Sequence, residues 1–305
     1  MNAGIFAGSS LAVMAAFFWS TYYIFLHMIG GADAFTVFIY PSLVGGFLFV
    51  LYGFMSEGNI SLPGRRADLL IPALGYLFSQ IVIIFSARIN GGVLTSTFVL
   101  VGDAILSPFI IFALGRNRFI PRFSLFIPGL LVLVISAFVL SAYGGRFAVH
   151  SLAGLVLIVA DPILISLFYV YLNGRIMIDG MARILAPTFL VASLISLPVF
   201  LFLYPVFYIG IPDPIELLVL VVIGVTSMFG GYFLFFAASK ISGFTLSSIL
   251  MSMIPVFTLL LSAAFISIPL TFSSVVLVFL AVFGASLCTL SFSEGRSSET
   301  ADSGS

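Results

Sequence analysis

The chain is divided into apolar runs of about 20 residues, repeated along almost its whole length, and this run length limits what it can fold into. Twenty residues at 1.5 Å per residue span the hydrocarbon core of a bilayer as one α-helix. Runs of strict apolar/polar alternation, which would mark a membrane-spanning barrel, are absent. Composition excludes a soluble alternative. Hydrophobic residues make up 62% and charged residues only 7%, with a mean hydropathy of +1.30, whereas a soluble domain carries about 25% charged residues to build its polar shell. Inside a bilayer every backbone amide must find its partner within the protein. The expected class is therefore an all-α integral membrane protein.

Breaks placed where charges, Gly, Pro and Asn cluster define ten expected transmembrane helices, at 8–28, 34–55, 69–88, 92–114, 124–143, 151–173, 183–207, 215–237, 243–267 and 271–292. The first run is read as a retained helix rather than a signal peptide, since no charged region or cleavage site accompanies it. Connections are short and leave no room for a soluble domain. The Ser-, Glu- and Gly-rich tail 293–305 is expected to be disordered and cytoplasmic. Lys and Arg set the orientation. With the N-terminus inside, Arg65, Arg66, Arg116, Arg118, Arg122, Arg175, Arg183, Lys240 and Arg296 lie on the inner side, and only Arg88 and Arg146 on the outer. An N-in, C-in protein of the cell membrane follows as the expectation. Zero net charge offers nothing to nucleic acid, and the single cysteine, Cys288, permits no intrachain disulfide.

The two halves are similar. Arg88-Ile89-Asn90-Gly91 aligns with Lys240-Ile241-Ser242-Gly243, and Leu94-Thr95-Ser96 with Leu246-Ser247-Ser248, both at a spacing of 152; earlier in each half a spacing of 146 sets Tyr23 on Tyr169 and Pro41 on Pro187. Residues 1–146 and 147–292 are thus expected to be two five-helix repeats. Five is odd, so the second copy enters the membrane from the opposite side. The result is an inverted repeat, an architecture that secondary transporters use for alternating access.

At three places the residues resemble the drug/metabolite transporter superfamily, in its ten-helix EamA-like branch. Ala15-Ala16-Phe17-Phe18-Trp19-Ser20 looks like its first-helix Trp motif. Ser248-Ile249-Leu250-Met251-Ser252-Met253-Ile254-Pro255-Val256-Phe257 looks like its small-residue stretch ending in Pro-Val-Phe, and Pro269-Leu270-Thr271 like the start of its last helix. The likeness extends over about residues 5 to 292. Two positions where the family often carries Glu read Arg116 and Ile268 here, which marks a divergent member. The resemblance implies a secondary transporter of small metabolites, such as amino acids or drug-like solutes, with export favoured over uptake.

Few polar residues interrupt the spans, and these are the candidate substrate- or proton-binding groups. Asp103 sits near the centre of span 4, where a charged carboxylate costs about 2.5–3.5 kcal/mol on the insertion scale. Ser96, Asp103 and Ser107 share one helical face. Asp161, followed by Pro162, is the second midplane acid; it reads equally as a site residue and as the cap of a half-helix at a kink. Gln80, with Tyr76 one turn before it, can hydrogen-bond a polar solute or a neighbouring helix. Trp19, Tyr22, Tyr23 and Tyr169 form a candidate aromatic wall suited to an amine. Gly45-Gly46 and Gly230-Gly231 read as close-packing positions, and Pro41, Pro108, Pro187 and Pro255 as kinks.

The expected partners are a small-molecule substrate, the bilayer and protons, in a monomer or homodimer. No cofactor, metal site or catalytic role is expected. A competing reading is an intramembrane aspartyl enzyme using Asp103 and Asp161. Its Gly-x-Gly-Asp motif is incomplete here, because Leu100 replaces the first Gly.

Overall fold

The computed structural model describes residues 3–29, 33–57, 66–90, 106, 110, 122–144, 152–202, 211–265 and 271–294. These residues are almost entirely helical. In chain order they form α1 (Ala3–Met28), α2 (Ala34–Glu57), α3 (Arg66–Asn90), α4 (Phe123–Gly144), α5 (Leu152–Asp179) and α6 (Met181–Phe202). A longer helix, Pro214–Ser242, changes its winding along its length: α7 (Pro214–Ile223), a π-helical stretch (Gly224–Gly231), then α8 (Tyr232–Ser242). Next come α9 (Phe244–Leu250), one 3₁₀ turn (Met251–Met253), α10 (Ile254–Phe265) and α11 (Phe272–Glu294).

Among the described residues, seven helices are long and apolar enough to cross a membrane, and Phe123–Ser136 and Val275–Cys288 are shorter apolar segments. The chain is a multi-pass integral membrane protein. Large apolar side chains such as Phe47, Phe202, Phe272 and Phe279 are exposed on the outer faces, where lipid rather than water surrounds them. The fourth expected span, with Ser96, Asp103 and Pro108, lies outside the described residues apart from Leu106 and Ile110.

Several helices are longer than their apolar runs. α1 begins at Ala3, α3 takes in Arg66 and Asp68, and α5 continues through Arg175 to Asp179. Hydropathy marks only the hydrocarbon slab. Intrahelical hydrogen bonding does not stop at its edge, and charged side chains in the last turns reach the headgroup region. α11 likewise runs two residues into the expected tail, to Glu294. At these ends an ion pair joins two helices: Arg175 Nη2 lies 2.7 Å from Asp68 Oδ2 on α3 and 2.7 Å from Asp179 Oδ2 one turn along α5.

The irregular points have local causes. Gly180 (φ 94°) and Gly243 (φ 90°) make the tight turns between α5 and α6 and between α8 and α9, a backbone region in which a Cβ clashes. Asp213 starts α7 with a capping box: its carboxylate accepts from the Ile215 and Glu216 amides at 2.8 Å, and Pro214 occupies the first turn. Pro255 has no N–H to offer the Met251 carbonyl. The preceding turn tightens to 3₁₀, and the Ile254 N–H reaches that carbonyl instead. Pro41 and Pro187 lie inside helices assigned without a break.

α1 is central: it packs on α8, α10 and the π stretch. The remaining contacts fall into corresponding sets. α1 packs on Pro214–Ser242 as α5 packs on α3; α2 packs on the π stretch as α6 packs on α3; α2 pairs with α6, and α4 with α11. The last pair touches backbone to backbone, because a Cβ on Gly284 would lie 2.6 Å from the Leu133 amide nitrogen. Gly45 and Gly46 pack closely too, against Met228 and Leu190, as expected of small residues between membrane helices.

Candidate functional site

Among the described residues, α1, α3, α5, the π stretch, α8 and α10 line a half-open cavity of about 40 Å³. Helical spacing selects its walls. Trp19, Tyr22 and Tyr23 stand at i, i+3 and i+4 on α1, Gln80 and Ile83 at i and i+3 on α3, and Ile165 and Tyr169 at i and i+4 on α5. Ser227, Met228 and Tyr232 come from the π stretch and the start of α8, and Ile254 from α10. Among the described residues, no charged side chain is in this lining.

The aromatic rings interlock. Trp19 and Tyr169 lie nearly parallel, 8° apart with centroids at 5.7 Å. Tyr232 stands edge-on to both, at 5.2 Å from Trp19 and 5.9 Å from Tyr169. Such pairs each contribute about 0.5–1.5 kcal/mol beyond area burial, so the wall is stiff. Trp19 is held at a second point. Its indole N–H donates to the Ser227 carbonyl at 2.9 Å, and the Ser227 hydroxyl donates back to the Phe18 carbonyl at 3.1 Å. In a π-helix the ordinary i→i−4 pairing is displaced, so a side chain that caps a carbonyl there stabilises the irregular turn. The indole fits because position 231 is Gly: a Cβ there would lie 2.5 Å from Trp19 Nε1.

Of the expected site residues, Trp19, Tyr23, Gln80 and Tyr169 come together at this cavity. Tyr76 does not line it. Fully buried behind it, the Tyr76 hydroxyl lies 2.8 Å from Ser42 Oγ and 3.1 Å from Met228 Sδ, while Ser42 donates to the Phe38 carbonyl at 2.6 Å. This chain ties α3 to α2 and to the π stretch. Asp161 is also fully buried, one turn before Ile165 and within electrostatic range of Tyr23. Both its oxygens lack a hydrogen-bond partner among the described residues. It does not cap a half-helix, since α5 is assigned as one helix through Pro162. Ser96 and Asp103 lie outside the described residues.

Tyr232, Ser227 and Met228 were not singled out from the sequence. The repeat spacing pointed to two of them: Gln80 and Tyr232, like Tyr76 and Met228, are 152 positions apart. Tyr76 and Met228 are in direct contact, and the Tyr232 hydroxyl approaches Gln80 and Tyr169 without closing a hydrogen bond of ordinary geometry. Trp19 and Ile165, and Tyr23 and Tyr169, are pairs at the spacing of 146, and all four line the cavity.

A volume of about 40 Å³ holds roughly three or four waters, given about 10–15 Å³ for each. Pockets for drug-sized molecules are about 300–1,000 Å³. Among the described residues no three His, Cys, Asp or Glu side chains gather into a metal-binding group.

No curated protein matches the chain. One solved crystal structure superposes with a TM-score of 0.77 at 17% identity, covering 96% of this chain and 98% of that one; at that identity the likeness establishes the fold. Residues 175–290, which run from the end of α5 into α11 and include the second-half wall of the cavity from Ser227 to Ile254, match the EamA-like transporter family.

Proposed function

We propose that the chain is a divergent EamA-like member of the drug/metabolite transporter superfamily. It acts as a secondary transporter that moves a small solute by alternating access. The fold is ten helices in two inverted repeats, 1–146 and 147–292, with both termini inside. The observation that carries this reading is the make-up of the cavity wall. Trp19 with Ile165, Tyr23 with Tyr169 and Gln80 with Tyr232 are pairs at the repeat spacings, and all six line one space between the halves. Residues related by a two-fold axis meet only near that axis, where such transporters bind their solute. The corresponding packing sets, α1 on Pro214–Ser242 with α5 on α3, support the same symmetry. Rocking one half against the other would open the cavity to each side in turn.

The solute class is small metabolites such as amino acids or drug-like molecules, in the direction of export, with Asp103 and Asp161 as the candidate proton-coupling acids. The test is counterflow in proteoliposomes. Amino acids, amines, nucleobases and cationic drugs are screened with and without a pH gradient, in wild type, Asp103→Asn and Asp161→Asn. Saturable counterflow of at least one class is expected. Flux that rises linearly with concentration for every permeant would indicate a channel and overturn the proposal.

A further inference from the structure

One ion pair crosses between the two proposed repeats. Asp68 stands in the first turn of α3, in the first repeat, and Arg175 near the end of α5, in the second. They are 2.7 Å apart, and the same guanidinium nitrogen, Nη2, holds Asp179 at 2.7 Å one turn further along α5. Of these two contacts, the one to Asp68 joins two helices and the one to Asp179 stays within α5. The contact to Asp68 runs through a single nitrogen, and Nε has no partner among the described residues. It therefore lacks the two parallel bonds that make an Arg–carboxylate fork strong. The side chains of Arg175 and Asp68 are 26% and 14% exposed, so water can replace either partner.

The pair lies beyond one end of the cavity. Arg175 is six residues past Tyr169 on α5, about 9 Å along the axis, and Asp68 is twelve residues before Gln80 on α3, about 18 Å. Between the pair and the cavity, Ala73 and Leu77 of α3 and Leu172 of α5 are fully buried. Gly75 brings the two helices together there, since a Cβ on it would lie 3.1 Å from the Phe168 ring. At the repeat spacings of 146 and 152, Arg175 corresponds to Ile29 and Asp68 to Leu220. Both are buried, at the end where α1 packs on α7. One end is thus held by charge and the other by apolar burial. Parting the apolar end exposes hydrocarbon to water, whereas parting the charged end exchanges one contact for hydration.

Building on the transporter reading above, we propose that the Asp68–Arg175 pair is a releasable latch between the repeats. When made, it keeps the cavity closed on the side where α3 begins and α5 ends; when broken, it lets that side open. Asp179 stays with Arg175 in both states. Because the latch is electrostatic and reaches solvent, the ionic strength on that side sets how long it stays closed.

Sided labelling of a cysteine in the cavity wall tests this. Cys288→Ala removes the one native thiol, and Ile83→Cys places a new one in the wall. In proteoliposomes a membrane-impermeant maleimide is applied from each side in turn. A separate Ser56→Cys reference, exposed at the end of α2 that leads into α3, identifies the latch side. Relative to this parent, Asp68→Asn is expected to raise labelling from the latch side about two- to fivefold and to lower it from the opposite side, the range open to a partly solvated pair acting on a two-state equilibrium. Asp68→Arg sets like charges together and should raise it further; adding Arg175→Asp should bring it back to within about twofold. Asp179→Asn should leave it unchanged. Raising salt in the parent from about 0.01 M to about 1 M shortens the screening length from about 30 Å to about 3 Å. Latch-side labelling should rise with it, and Asp68→Asn should abolish that dependence.

Equal labelling of the parent and Asp68→Asn overturns the latch. A rise from both sides together does so too, because that is loosening of the fold, as does an equal effect of Asp179→Asn. If Asp68→Asn does not assemble, the salt series on the parent decides, and labelling that ignores salt overturns the latch. Labelling that follows the latch, with no saturable counterflow of any solute, keeps the latch and removes the transporter reading. Saturable counterflow with labelling indifferent to Asp68→Asn and to salt does the reverse.

Discussion

Gly231→Ala puts a methyl group where the Trp19 indole already lies. The new Cβ would stand 2.5 Å from Nε1, 2.7 Å from Cδ1 and 3.0 Å from Cε2. Ordinary carbon contacts begin near 3.5 Å, so the ring must retreat by roughly 1 Å. The indole is rigid and stacked with Tyr169, so it cannot fold away as an aliphatic side chain would. Overpacking of this kind costs about 1–3 kcal/mol. The retreat also stretches the 2.9 Å bond to the Ser227 carbonyl, worth about 1 kcal/mol. Replacing a helical glycine by alanine returns up to about 1 kcal/mol. The expected net loss is about 2 kcal/mol. Unfolding in mixed micelles of rising SDS fraction, followed through Trp19 emission, measures it, and the folded-state emission should shift as well. Gly230→Ala is the control: its Cβ would meet the half-buried Phe18 ring and the Val225 carbonyl oxygen, both at 3.3 Å, contacts that a shift of a few tenths of an ångström relieves. Wild-type stability and emission in Gly231→Ala, or an equal loss in Gly230→Ala, would refute the account of how α1 and α8 are held together.

Three further outcomes are expected. Tyr76→Phe removes the hydroxyl that joins Ser42 and Met228 and should cost about 1–2 kcal/mol in the same unfolding assay; because Tyr76 does not line the cavity, solute affinity read from counterflow should stay within about twofold. Asp213→Ala removes the cap of α7 at a typical cost of about 1 kcal/mol; hydrogen exchange should speed up at the Ile215 and Glu216 amides and be unchanged in α8. A double-mutant cycle on Asp68→Asn and Arg175→Gln should give a coupling of about 0.5–1 kcal/mol, as expected of a pair that is partly open to solvent; a coupling near zero would mean that the 2.7 Å contact does not hold α3 against α5.

Much of the helical framework was legible because membrane insertion constrains residues singly. Each apolar run must be long enough to span, and each charge prefers an end, so runs and charges located the helices Ala34–Glu57 and Met181–Phe202 to within two residues at their starts. The ends of α3 and α5 were not legible, because helical hydrogen bonding continues past the last apolar residue into Arg66, Asp68, Arg175 and Asp179. The π stretch was missed as well. Gly230 and Gly231 within it were read as packing positions, and packing is what they do, as does Gly224 against Val44.

The candidate site divides in the same way. Trp19, Tyr23, Gln80 and Tyr169 could be named because polar and amphipathic side chains are rare at mid-span, and each stands out against the apolar background. Tyr76 was named on the same ground, yet it faces Ser42 and Met228 rather than the cavity. One turn of helix separates it from Gln80, and only the positions of neighbouring helices decide which of the two meets open space. Tyr232 looked like one tyrosine among 11; its edge-on contact with Trp19 exists because α8 crosses α1 at a glycine.

The sequence by itself determined the class of solvent, the helical character of the backbone and the candidate symmetry of the two halves. All three rest on local or periodic quantities: run length, charge placement and residue spacing. Only the tertiary structure decided which side chains share a cavity, how large that cavity is, and that Asp161 is fully buried without a hydrogen-bond partner among the described residues. Those depend on how helices far apart in the chain rotate against one another, and a rotation of one residue, about 100°, exchanges a wall residue for a buried or lipid-facing one.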